Sequence, residues 1–79
     1  MTQKIFLEIV EHIDNTIRSQ ISCPDAASDA MVKINISSGK SLMILLGDIE
    51  PHESFVVLES VTGEEKEFIP YENIISLGI

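Results

Sequence analysis

Apolar residues recur at Ile5, Phe6, Ile9, Val10, Ile13 and Ile17, the spacing of one face of a helix. At about 100° per residue they fill an arc of roughly 160°, with Leu7 just off its edge. Lys4, Glu8, Glu11, Asp14, Asn15 and Arg18 take the opposite side, and Thr2 suits an N-cap. The pattern predicts one amphipathic helix over residues 2–20 that packs on something by its apolar face. Lys4–Glu8 and Asp14–Arg18 are opposite charges four apart, each worth about 0.2–0.5 kcal/mol.

The helical period stops at Ser22-Cys23-Pro24-Asp25-Ala26-Ala27-Ser28-Asp29, whose proline, serine and aspartate content predicts a linker over 22–30. From residue 31 onward the period is that of strands. Val32, Ile34 and Ile36 alternate with Lys33, Asn35 and Ser37, which describes a half-buried strand. Ser37-Ser38-Gly39-Lys40 makes a hairpin loop, Leu42–Leu46 a second strand, and Gly47 a bend or bulge. Glu50-Pro51-His52-Glu53 reads as a turn, Phe55–Leu58 as a third strand, and Thr62-Gly63-Glu64-Glu65 as another turn. A short strand over Lys66–Ile69, a corner at Pro70-Tyr71-Glu72-Asn73 and a last strand over Ile74–Ile79 complete the chain. The expected fold is mainly β: one helix, then a five-stranded, strongly bent antiparallel barrel over 31–79, all in one domain. Met43-Ile44-Leu45-Leu46 and Phe55-Val56-Val57-Leu58 are apolar on both faces, so each needs a second cover. Barrel closure or a neighbouring subunit supplies it.

Size and charge sharpen this. At 79 residues a lone domain buries only about 60% of the surface its unfolded chain exposes. Small folds compensate with disulfides, metals or partners. Cys23 is the only cysteine, and His12 and His52 stand too far apart for a zinc-ligand spacing. Partners remain, and a hydrophobic content of 44% points the same way. The net charge of −8 is shared along the chain: Lys4 and Arg18 face five acids before residue 31, and Lys33, Lys40 and Lys66 face eight after it. No basic stripe is present to neutralise phosphates, and the acidity suits a basic partner protein. No apolar run approaches the roughly 18 residues of a membrane span, and the N-terminus lacks a signal-peptide pattern, so the cytoplasm is the expected location.

Two stretches carry a family resemblance. Val32-Lys33-Ile34-Asn35-Ile36-Ser37-Ser38-Gly39-Lys40, resuming at Glu50-Pro51-His52-Glu53-Ser54-Phe55-Val56-Val57-Leu58, is similar to the first motif of the Sm/LSm family and its Hfq-like branch. There an acid precedes an aromatic residue or histidine by two positions, ahead of Met-Asn and an apolar strand. Phe68-Ile69-Pro70-Tyr71-Glu72-Asn73-Ile74-Ile75 resembles the family's closing corner and strand. Ile44 stands near the family's usual glycine, Glu53 and Ser54 replace its Met-Asn, and the closing corner has no arginine. Src-homology-3-like barrels share the strand pattern, and that alternative stays open.

The resemblance implies a closed homo-oligomeric ring of about five to seven subunits, joined head to tail through its last two strands. It also implies a pore where short single-stranded RNA or DNA is held. Position by position, His52 resembles the stacking residue, Ser54 the base-reading residue and Glu50 the supporting acid, while Tyr71 and Asn73 fall in the second motif. The alternative is an acidic scaffold or protein-interaction module that binds basic proteins and no nucleic acid. Catalysis finds little to work with. Cys23 has no basic neighbour in sequence to activate it, and His12 beside Glu8 reads as a solvated surface pair. Asp48, Glu50 and Glu53 surround one turn, but their spacing matches no calcium loop. No enzyme, cofactor or resident metal is expected.

Overall fold

A computed structural model describes residues 1–22, 24–59 and 63–79. Helix α1 runs Gln3–Gln20, and Thr2 caps it: its Oγ1 accepts from the Ile5 N–H at 3.2 Å. Arg18 pairs with Asp14 at 2.9 Å; Lys4 and Glu8 do not close to ion-pair distance. The apolar arc is only partly used. Phe6, Ile13 and Ile17 are buried, Ile9 and Val10 half-buried, and Ile5 and Leu7 exposed. Complete burial of Phe6 contributes about 1.5–3 kcal/mol.

The linker expectation needs correction. Pro24–Asp29 is a 3-10 helix that packs against α1, and its Ala27 is wholly buried. Proline and aspartate suit a tight turn as well as a loop, and one small apolar residue suffices to anchor it. Cys23 and the start of the turn at Thr62 lie outside the described residues.

Among the described residues six strands follow, in two three-stranded antiparallel sheets. β1 (Met31–Ile36) lies between β2 (Ser41–Leu45) and β6 (Ile74–Gly78). β4 (Phe55–Glu59) lies between β3 (Ile49–Pro51) and β5 (Lys66–Pro70). The alternation expected of β1 is present: Val32 and Ile34 are fully buried, while Met31 and Lys33 face out. At the β1–β2 hairpin, Gly39 takes φ 89°, a value that glycine adopts without a Cβ clash.

The five-stranded barrel is where expectation and structure part. The second strand stops at Leu45, Leu46–Asp48 forms a 3-10 turn, and β3 occupies Ile49–Pro51, where a turn was expected. Six strands in two sheets result, without a closed barrel. The break has a local cause. Gly47 lies so close to the Pro24–Asp29 segment that a Cβ on it would meet the Ser28 Cβ at 2.8 Å. The Leu46 N–H is also given to the Ala30 carbonyl at 2.8 Å. Pro51 fits a strand because β3 is an edge, where a missing N–H costs little.

Both sheets turn their inner faces to one core. Val32, Ile34 and Ile44 come from the first sheet, Val56, Leu58 and Ile69 from the second, and Phe6 and Ile13 from α1. Across the gap between sheets, Lys40 in the hairpin loop reaches Glu67 on β5 at 2.7 Å, which raises the lysine's pKa. The pair is exposed and adds little stability.

Candidate functional site

His52 follows β3 directly, and its main chain is fixed from three sides. Its N–H donates to the Phe55 carbonyl at 2.8 Å, closing a tight turn over 52–55. Its carbonyl accepts from the Tyr71 hydroxyl at 2.5 Å and from Gln3 Nε2 at 3.2 Å. The imidazole is half out in solvent, with Nε2 at 3.0 Å from Oε2 of Glu50. It lies nearly flat on Phe55, with ring centroids 4.9 Å apart and planes 17° from parallel.

Glu50, His52 and Tyr71 are therefore brought together, but not in the roles the resemblance implied for all three. Glu50 meets the imidazole edge through Oε2. Tyr71 opens the 3-10 corner Tyr71–Asn73 and is only 4% exposed. Its ring packs on Phe6 with centroids 5.2 Å apart, and its hydroxyl is committed to His52. Burial pushes the phenol pKa up. A ring held this way has no open face for a base, so Tyr71 acts here as a core residue that fixes the His52 turn. Ser54 is exposed in the turn and Asn73 at the end of the corner. The Asn73 carbonyl accepts from Ser37 N–H at 2.8 Å, linking the corner to the β1 end.

Two aromatic residues complete the surface and were not singled out from the sequence. Phe55 continues the stack beyond His52, and Phe68 lies 6.3 Å from Phe55 at a 54° tilt. Phe68 is 66% exposed. The signal available was alternation: Phe55 and Val57 share one face of β4, Val56 and Leu58 the other, and only the second pair points into the core.

Among the described residues, no group of three or more His, Cys, Asp or Glu side chains converges to hold a metal ion. No described helix is long and apolar enough to cross a membrane. The arrangement offers flat aromatic surface, a carboxylate-supported imidazole and hydrogen-bonding side chains: equipment for binding. No match to the chain was found among protein families, curated proteins or solved structures.

Proposed function

We propose that this chain is a non-catalytic, Sm-like assembly module whose copies join head to tail through strand edges. One observation carries the reading. Among the described residues β6 pairs as a strand only with β1, although its first carbonyl, that of Ile74, also accepts from the Met1 ammonium at 3.4 Å; it bears no charge and no proline, and leaves Ile75 63% exposed. Bare, uncharged edges of this kind invite pairing with another chain. β5 closes the second sheet and likewise pairs as a strand only with β4, its side-chain pair Glu67–Lys40 reaching beyond that sheet. Pairing β6 of one copy with β5 of the next is a heterologous contact, which closes into a ring or runs on as a filament. In this reading β2, the Leu46–Asp48 turn and β3 together stand for the one long bent strand of an Sm-like barrel.

Light scattering after size exclusion tests it. The wild type should elute as a closed oligomer at micromolar concentration, and Ile75→Lys should give monomers with a lower thermal midpoint. A stable wild-type monomer would sink the idea.

A second reading, single-stranded RNA or DNA at the pore, is favoured by the accessible His52 imidazole held flat on Phe55. Ser54 and Asn73 would read base edges beside it, with Glu50 supporting the ring. His52→Ala should then abolish binding of short oligouridine at low salt, since stacking is worth about 1–3 kcal/mol per base. With so few cations to meet phosphates, that binding should vary little with salt.

A further inference from the structure

The outer face of β3, β4 and β5 carries a transverse row that neither the core nor the strand edges use. Glu50 on β3 stands opposite Val57 on β4, and Val57 stands opposite Phe68 on β5. Neighbouring strands lie about 4.8 Å apart, so a carboxylate, an aliphatic floor and an exposed ring cross the sheet within about 10 Å. Val57 is only 7% exposed although it belongs to no part of the core cluster. It floors a depression of about 250 Å³ whose walls include Asp48, Glu50, Glu59 and Lys66.

Chemistry selects the occupant. An aromatic face attracts cations through its quadrupole, and arginine does this best because its guanidinium is flat and weakly hydrated. The same group carries a fork of N–H donors that suits a carboxylate at the far end of the row. Three carboxylates against one ammonium around the depression repel a phosphate backbone. A second copy of the chain would bring another −8 to the same face. We propose that the Glu50–Val57–Phe68 row docks an arginine side chain carried by a basic segment of a partner protein. The guanidinium lies over Val57, between the Phe68 ring on one side and the Glu50 carboxylate on the other, so that one face meets the ring while its N–H groups point to Glu50.

The inference goes beyond edge-to-edge assembly and is tested separately, by fluorescence anisotropy with the full chain. The probes are a labelled short peptide alternating glycine with arginine, the matched lysine peptide, and short oligouridine. The arginine peptide should bind, the lysine peptide should bind at least about fivefold more weakly, and oligouridine should bind less than either. Phe68→Ala and Glu50→Gln should each weaken the arginine peptide by about threefold to tenfold, and added salt should weaken it further. Both residues are exposed, so the variants should keep the wild-type circular dichroism. Should Phe68→Ala fail to fold, Phe68→Leu keeps the bulk and removes the ring. Equal binding of the two peptides would reduce the site to bare charge and overturn the proposal. So would failure of the wild type to bind the arginine peptide at low salt, or oligouridine binding that Phe68→Ala abolishes.

Discussion

Two transverse rows, one on the outer face of each sheet, meet solvent in opposite ways. On the first, Ser41, Asn35 and Ser76 form a row across β2, β1 and β6. Ser41 Oγ donates to Asn35 Oδ1 at 2.6 Å, and Asn35 Nδ2 donates to Ser76 Oγ at 2.9 Å. The row satisfies much of its own polar chemistry. On the second, the corresponding row is Glu50, Val57 and Phe68, where nothing bonds across the strands and a ring stands uncovered. Each sheet has three strands and contributes to the same core, so inner packing does not separate them. A row closed by its own hydrogen bonds keeps a sheet's register, whereas an open ring beside a carboxylate is surface that another molecule can use.

The widest break in this comparison removes both faces at once. Ile34 is fully buried, opposite Leu42 on one side and Leu77 on the other. Ile34→Asp should unfold the domain, because an unpaired buried carboxylate costs more than the roughly 5 kcal/mol that holds a small fold together. A cooperative melt at the wild-type midpoint would refute the burial of β1.

Asn35→Ala and Phe68→Ala sharpen the contrast at smaller scale. Loss of Asn35 removes two cross-strand hydrogen bonds and should cost about 1–2 kcal/mol in urea denaturation. Loss of Phe68 should cost about 0.5 kcal/mol or less, the usual cost of an exposed substitution. Comparable losses for the two would mean that the second face is packed and not open.

The smallest effect concerns pH. Tyr71 ionises above its ordinary value of 10.0 because burial disfavours the phenolate. The unfolded chain therefore gives up the proton first as pH rises. Tyr71 imposes no loss below about pH 10, and stability declines from there as pH rises through the higher folded value. The difference in thermal midpoint between wild type and Tyr71→Phe should stay constant from neutral pH to about 10 and narrow above it. Tyr71 is the only tyrosine, so tyrosinate absorbance follows the same proton directly. Titration of that absorbance at the free phenol value would contradict the burial.

Period and capping made α1, β1 and β6 legible in the sequence, because Thr2, Val32-x-Ile34 and Ile74 onward follow simple local rules. β3 was not legible: Glu50-Pro51 is turn chemistry, and only an edge position lets it pair as a strand. Pro24–Asp29 read as a linker because nothing local reveals that Ala27 is enclosed by neighbours distant in sequence. In the candidate site, Glu50 and His52 were singled out as a pair only through the family resemblance, and their side chains lie 3.0 Å apart. Tyr71 was correctly placed beside them but given a surface role, since a phenol in a polar corner looks accessible until Phe6 is packed against it. Phe55 and Phe68 were hidden by runs that look like core. Which side of a strand faces inward depends on the sheet beneath it.

The bond from Tyr71 to residue 52 ends on a main-chain carbonyl, not on the imidazole. That separates two kinds of tolerance to sequence change. Every amino acid supplies the same carbonyl, and every one but proline the N–H that donates to the Phe55 carbonyl, so position 52 is free to drift among the rest and to adopt new side-chain chemistry without loosening the turn. Position 71 needs a ring to meet Phe6 and a hydroxyl to span the gap, and only tyrosine among the standard residues brings both. Divergence among descendants of this chain should therefore concentrate on the side chain at position 52 while the residue that holds its main chain in place stays still.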